Sequence, residues 1–396
     1  MPLQKLTDTA PAWISAPPGT PEPLLLCQVM LTRNLAGFGF SNRCPDEERH
    51  AVESRVLSAF AAAGSLPPGR YHSISEMDVT TQRLLAERRL IPVEFLGAHG
   101  TRGVYIADDQ ALTILVNMSD HLLIRALSSE GKLESQWNLL NTLDTELGRS
   151  LNYAYHERLG YLTSSLRYVG TGLKVSAVLH LPAIALLGEA PRMAGLVQAK
   201  RLSFHGLSLG EPHPGAPSAG RTPILAHGGL AAEIEPSLYQ NLYLDMSGVL
   251  QTDPAQTVGN LYVLSSQDTL GVSEDETLFQ VEQAILVLVK EEERARQHLV
   301  NSRRDALMDT IGRTLGIAQG ARLLGMRETL MLASMLRLAA SMGLVTGCNR
   351  NALNQALLEC QQAHLQLQRG LPPEAHALAL ERARIFRALF ARTEMN

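Results

Sequence analysis

The chain has 396 residues, of which 45% are hydrophobic and 19% charged, a balance typical of folded globular proteins and sufficient for two domains. Its net charge of -4 leaves no basic excess for nucleic-acid phosphates, and its apolar runs are too short to span a bilayer, so we expect neither nucleic acid nor membrane as a partner. The four cysteines are scattered without a CxxC pair and the chain does not start like a secretory signal, which predicts a reduced, cytoplasmic protein.

Regular structure is expected to begin near Leu24. Residues 1–23 are rich in proline, which sustains neither helix nor central strand, and this predicts a flexible N-terminal segment. Residues 103–117 contain two short β-branched runs separated by a turn at 108–110, a pattern that predicts a β-hairpin. Antiparallel pairing is therefore expected.

An amphipathic helix is predicted after the hairpin. Leucines and a tryptophan recur at steps of three and four residues from Leu133 to Leu151, which places one apolar stripe on a helix of roughly five turns. Such a stripe is expected to pack against the sheet. A Gly/Pro/Ala-rich stretch at 210–222 then predicts the start of an insertion at about 211–256 with little regular structure.

The amino-acid composition changes in the last part of the chain. After Thr277 it is dominated by Leu, Ala, Glu, Arg and Gln at helical spacing, which predicts an all-helical region interrupted at Gly343–Gly347 and Gly370–Pro373. We therefore predict a first domain at 24–295 and a helical domain at 296–396.

Four segments carry a family resemblance. They are NLAGFGF at 34–40, LVNMSDHLLIRAL at 115–127, the long block at 151–183 and VGNLYVLSSQDTLGVSE at 258–274. In this order they resemble blocks of the ATP:guanidino phosphotransferases (phosphagen kinases), in particular the bacterial protein-arginine kinases. The resemblance covers most of residues 24–300.

The resemblance implies an α+β fold, in which an antiparallel sheet flanked by helices forms the guanidino-kinase catalytic domain and an all-helical domain follows. It also implies ATP with Mg²⁺ as cofactor, and a C-terminal domain that dimerises or binds a partner.

Phosphoryl transfer to a guanidinium requires cations around the phosphates, and this family supplies them mainly as arginines, whose forked donors grip phosphate oxygens. The resemblance places five such positions on residues that are not arginine here. These degenerate phosphate positions are Gln28, Met30, Leu123, Lys174 and His205. Only lysine keeps a fixed charge, and it loses the fork.

The reactive positions of the family are also replaced. The resemblance puts its paired glutamates between Asn117 and the Asp120–His121 pair, where Ser119 now stands, and a serine hydroxyl is no base at neutral pH. The family's reactive cysteine falls on Ser165. Ser119 and Ser165 are therefore predicted to be vestigial catalytic positions.

Several residues at or beside family positions are candidates for residual contacts with a nucleotide. They are Arg33, Arg125, His121, Gly170, Thr171, Gly172 and His180. The glycines are explained more simply by a tight turn, and the histidines by satisfied positions in the core. No His/Cys/Asp cluster has ligand spacing, so no metal site is predicted.

The leading hypothesis is a pseudokinase that acts by binding, as a scaffold or regulator of an active arginine kinase or of protein quality-control machinery, and that forms a homodimer. No cofactor is predicted, and ATP with Mg²⁺ is expected only if residual binding survives. One alternative is an active arginine or guanidino kinase with a rewired site. Another is a phosphoarginine reader built on the helical domain.

Overall fold

The structure is a computed structural model that describes residues 3–41, 43–96, 100–207 and 257–396. Within these residues, eight strands form one antiparallel sheet in the order β2-β3-β4-β5-β1-β8-β10-β9. Their bounds are β1 Leu24–Arg33, β2 Gly69–Ser73, β3 Gly103–Ala107, β4 Leu112–Val116, β5 Leu122–Ser128, β8 Leu173–His180, β9 Leu202–Gly206 and β10 Leu261–Ser266. The predicted α+β class and its antiparallel sheet are confirmed.

The described helices lie around this sheet and after it. Their bounds are α1 Asp46–Ala62, α2 Val79–Glu87, α3 Glu134–Leu151, α4 Pro182–Leu186, α5 Ala190–Gln198, α6 Glu274–Gly320, α7 Met326–Ser341, α8 Arg350–Glu359, α9 Gln362–Arg369 and α10 Ala375–Phe390. Short strand pairs are β6 Tyr155–His156 with β7 Gly160–Tyr161, and β11 Val345–Thr346 with β12 Glu394–Met395.

One face of the sheet, here called the core face, packs against α3 and α6. Cys27, Val29 and Leu31 of β1 point into the same apolar cluster as Leu140 and Leu143 of α3. The predicted helix and the β3–β4 hairpin are both confirmed, and α3 covers the sheet as its apolar stripe requires. This core fixes the register of the central strands.

The opposite face, here called the cleft face, is partly covered by the N-terminal segment. Trp13 and Ile14, in a 3-10 helix at Ala12–Ile14, are buried against Leu26 and Val263. A flexible segment was predicted for residues 1–23; the structure packs Trp13 and Ile14 of this segment, and the flexibility of the segment as a whole stays a prediction. Burial of the Trp13 and Ile14 side chains stabilises this packing. Pro11, with φ of -65°, is compatible with the position before a short helix.

The C-terminal region is helical, as predicted, and its helices break at the two predicted interruptions. Helix α6 runs 47 residues through 295–296, with a non-helical backbone at Arg303, so the domain boundary there stays a prediction. The predicted insertion at 211–256 lies outside the described residues. In the part of the chain that the structure describes, no helix is both long and apolar enough to cross a membrane.

Candidate functional site

The predicted phosphate positions share the cleft face of the sheet. Met30 of β1 lies opposite Arg125 of β5 on one side and Lys174 of β8 on the other. Gln28 pairs with Ser176 one row away on the same face. Because directly opposed residues of antiparallel strands point the same way, this row forms the floor of one cleft.

His205 is the exception in this set. It pairs with Val263, which pairs with Val178, so His205 lies in a row four residues from Lys174 along β8. At the rise of a β-strand this separation is roughly 13 Å. The structure therefore brings Gln28, Met30 and Lys174 together and leaves His205 apart.

Arg125 occupies the cleft but is already engaged. Its Nη2 and Nε donate to Gln28 Oε1 over 2.8 and 3.3 Å, while its Nη1 is buried without a hydrogen-bond partner among the described residues. Burial lowers the pKa of Arg125 to about 10, so it remains a cation at neutral pH. Leu123, two residues earlier, packs in an apolar cluster with Leu115. Arg125 therefore lies on the same face of the strand as the replaced position Leu123.

A polar cavity of about 200 Å³ adjoins Lys174. Its lining includes Arg167 and Tyr168, together with hydroxyls from Ser203, Ser266 and Thr269. No carboxylate is among these lining residues. Two cations and several hydroxyl donors around a cavity are suited to an oxyanion.

Sequence reasoning missed Arg167. The residue stands two places after Ser165 inside the resembling block, which was the available signal. The expectation of a cleft with mainly uncharged side chains is therefore incomplete, because a loop supplies a guanidinium that no strand pattern indicates.

The candidate catalytic region is organised around Asp120. This buried carboxylate accepts from Asn34 Nδ2 and Ser164 N, each at 2.6 Å, and from the hydroxyls of Ser164 at 2.8 Å and Ser119 at 3.2 Å. Four donors occupy the acceptor sites of its two oxygens. Asp120 is thus part of the framework.

Both vestigial positions lie next to this carboxylate. Ser119 is exposed and touches Asp120 directly, while Ser165 follows the bonded Ser164 and is held by a hydrogen bond from Thr163 Oγ1 to its carbonyl at 2.8 Å. Neither serine is a base at neutral pH.

Arg33 is committed to a buried ion pair. Its Nη2 lies 2.7 Å from Asp144 Oδ2, and the two side chains are 2% and 8% exposed. Its Nη1 donates to the carbonyls of Thr32 and Thr171, and its guanidinium stacks 3.5 Å from the Tyr161 ring centroid. The donors of Arg33 are therefore directed at protein groups.

The turn at 170–172 is also structural. The N–H of Thr171 donates to Thr269 O at 2.9 Å, and the carbonyl of Gly172 accepts from Thr32 N at 2.9 Å. Gly170 and Gly172 have φ of 121° and 66°, which favour glycine. The simpler interpretation of a tight turn agrees with these contacts.

Replacing Gly172 with alanine is expected to destabilise the fold by at least about 2 kcal/mol. The added Cβ would lie 2.5 Å from Arg33 Nη1 and 2.7 Å from Thr32 O, in a left-handed backbone. Urea unfolding measures the loss. Gly188→Ala is the matched control, since Gly188 has φ of 71° and open space around its Cβ position. Equal losses in the two variants would contradict the contact argument.

The two candidate histidines have structural partners. His121 accepts from Leu35 N at its Nδ1 over 3.0 Å, so Nε2 donates to Gly39 O at 2.8 Å, and burial lowers its pKa. His180 contacts Ser334 of α7 through Nε2 at 2.8 Å. In the described ranges no group of three or more His, Cys, Asp or Glu is arranged to hold a metal ion.

Comparisons with known proteins agree along most of the chain. Residues 51–213 match the model for the ATP:guanido phosphotransferase C-terminal catalytic domain, and residues 304–396 match that for the protein-arginine kinase McsB C-terminal domain. The chain is 28% identical over 385 residues to the protein-arginine kinase of Moorella thermoacetica, covering 96% of this chain and 97% of that protein. It is 29% identical over 375 residues to the protein-arginine kinase of Symbiobacterium thermophilum, covering 91% and 93% respectively.

Among solved structures, the duplicated taurocyamine kinase from Schistosoma mansoni with bound transition-state-analogue components is similar, with a TM-score of 0.55 at 16% identity. The similarity covers 76% of this chain and spans 39% of that one. The substrate-free form of the same kinase gives a TM-score of 0.53 at 17% identity, covering 78% and 39%. At this identity the likeness concerns the fold alone.

Proposed function

We propose that this chain, which matches the ATP:guanido phosphotransferase catalytic-domain model over residues 51–213 and has protein-arginine kinases among its relatives, is a catalytically impaired protein-arginine-kinase-like protein that acts by binding. In this role it regulates or scaffolds protein partners, such as an active arginine kinase or quality-control machinery. Homodimer formation through residues 296–396 is part of the proposal.

The observation that carries the proposal is the state of the carboxylates. Transfer to a guanidinium needs a carboxylate that orients and deprotonates the attacking nitrogen. At the family position stands Ser119, and the neighbouring Asp120 is buried and accepts four hydrogen bonds. Using Asp120 as the base would require breaking the contacts that hold Asn34 and Ser164.

The cations support binding better than catalysis. Lys174 and Arg167 line one polar cavity, whereas Arg125 is bound to Gln28 and Arg33 to Asp144. The lining is suited to a phosphate group, but the guanidinium forks that the family places on β1 are absent. Retained affinity for a phosphorylated ligand without transfer is the behaviour that this arrangement favours.

We expect the purified chain to transfer no phosphate to protein arginine above background with Mg-ATP. The missing base alone is worth about two to four decades in rate. Ser119→Glu is expected to stay near background too, because Gln28 and Met30 supply no charge to the transferring group. Radiolabel transfer at neutral pH measures this, with the Moorella thermoacetica kinase as the positive control.

Ser119→Gln is the matched variant, since it has the size of glutamate but cannot ionise. Transfer by the wild-type chain that rises in Ser119→Glu and not in Ser119→Gln would contradict the proposal. It would support the second candidate, an active kinase with a rewired site, which the Lys174–Arg167 cavity favours.

A further inference from the structure

A second cavity lies between the cleft face and the helical region. Its volume is about 90 Å³. Leu26 and His180 of the sheet line one side, Ser334 and Arg337 of α7 line the other, and Arg89 from the end of α2 completes it. None of these residues lines the cavity beside Lys174. The two cavities are therefore separate sites.

Two guanidinium groups in this cavity each have a buried Nη1 that forms no hydrogen bond with the described residues. Arg337 is 4% exposed, its Nη2 donates to Asn354, and its Nη1 is buried with no hydrogen-bond partner in the described part of the chain. The Nη1 of Arg89 is likewise buried and without such a partner, although its guanidinium stacks 5.1 Å from the Trp13 ring centroid. Neither arginine forms an ion pair with a described residue.

The two carboxylates near the cavity, Glu87 and Glu22, have other hydrogen-bond or ion-pair partners. Glu87 lines the cavity, but it accepts from the backbone N–H of Ala363 and His364 at 2.8 and 3.2 Å and lies 2.9 Å from His364 Nδ1. Glu22 is paired with Arg296 at 2.7 Å. The Oε1 of Glu22 is buried without a hydrogen-bond partner among the described residues. Burial lowers the pKa of Arg337 to about 10 and outweighs the charge of Glu22, which raises that pKa. These acids therefore balance the positive charge of the cavity only in part.

His180 adds a neutral donor. Ser334 Oγ accepts from Asn260 Nδ2 at 2.8 Å and lies 2.8 Å from His180 Nε2, so in the Nδ1-protonated tautomer the Ser334 hydroxyl donates to Nε2. The proton of His180 is then on Nδ1, an atom that is buried and has no hydrogen-bond partner among described residues. Burial, then the charge of Arg337, holds the pKa of His180 well below its usual value.

Burying cations with incomplete counter-charge is costly, and a bound anion would reduce that cost. A cavity of about 90 Å³ has room for several water-sized groups, which is the scale of a small oxyanion. Arg89, Leu25 and Asn354 remain partly exposed, so the cavity has an open side.

We propose that this cavity binds a small oxyanion of the phosphate class, held by Arg337 and Arg89 with His180, and that the anion joins the helical region to the sheet. The proposal is independent of catalysis at the first site. Ligands to the anion come from segments far apart in the chain, so its binding stabilises their docking.

Inorganic phosphate is the probe, titrated calorimetrically at constant ionic strength into full-length Lys174→Gln protein, in which the other cavity has lost its lysine. We expect one phosphate per chain. Adding Arg89→Gln is expected to weaken binding at least about tenfold, because one charge-assisted contact is lost. Arg337→Gln is expected to weaken phosphate binding to a similar extent. Arg89→Gln still tests the site if Arg337, the more buried arginine, is needed for folding.

Arg384→Gln, on the exposed side of α10, is the matched control and should leave the affinity unchanged. Absence of phosphate binding to the Lys174→Gln protein would overturn the proposal. So would equal weakening by Arg384→Gln and Arg89→Gln. Binding that vanishes with Lys174→Gln alone would locate phosphate at the first cavity and would leave the proposed function standing.

Discussion

Replacing Arg33 with methionine is expected to lower the free energy of unfolding by about 3–5 kcal/mol, because Asp144 would remain buried without its cation. Two hydrogen bonds from Arg33 Nε at 3.1 Å and one from Nη2 at 2.7 Å hold this carboxylate. Asp144 is on α3, so the pair ties the helix to the end of β1. Equilibrium denaturation in urea measures the change.

The double variant Arg33→Met/Asp144→Leu is the control for this prediction. If the loss comes from an uncompensated charge, removing both partners restores part of the stability. The double variant then loses less free energy of unfolding than the sum of the two single losses. Purely additive losses would contradict the argument. A second measurement separates structure from binding: phosphate affinity at Lys174 should be unchanged in folded Arg33→Met, since Arg33 donates to protein acceptors.

The second large effect concerns Glu292, a fully buried carboxylate on α6. It accepts from the N–H groups of Ala183 and Ile184, each at 3.1 Å, and from Arg296 Nε at 2.9 Å. Burial raises the pKa of Glu292 from 4.5 to about 7, with Arg296 and the two N–H groups acting in the opposite direction. The folded chain therefore keeps this proton to higher pH than the unfolded chain does.

The sign of the pH dependence follows from proton binding. Between pH 4.5 and about 7 the folded state holds more protons on Glu292, so stability from this group is present at low pH and is lost as pH rises through that window. Glu292→Gln removes the ionisation. The difference in unfolding free energy between wild type and Glu292→Gln should change by about 2–3 kcal/mol from pH 5 to pH 8, to the disadvantage of the wild type.

Denaturant unfolding of both proteins at pH 5 and pH 8 provides this comparison. Groups that titrate equally in both proteins cancel in the difference of their unfolding free energies. Glu291→Gln is the matched variant, because Glu291 is the neighbouring glutamate with exposed arginine partners. Its pH dependence should follow the wild type. A Glu292→Gln curve parallel to that of the wild type would contradict the prediction.

The local elements were predictable because their signals are local. Two β-branched runs around a turn predict the β3–β4 hairpin, and three- and four-residue steps predict α3, so both were placed from a few neighbouring residues. Leu123 and Arg125 share one face of β5, since two residues is the period of a strand. The packing of Trp13 and Ile14 was not predictable from their neighbours, because it depends on a surface formed by β1 and β10.

The sequence by itself indicated the family resemblance, the antiparallel sheet followed by a helical region, and the residue types at the replaced positions, since these depend on residue types in order. Only the tertiary structure decided that Asp120 and Arg33 are fully engaged, that Arg167 joins Lys174, and that Arg89 and Arg337 share a cavity. Those facts depend on contacts between residues far apart in the chain, and their partners are set by three-dimensional packing, which no local period of one sequence encodes.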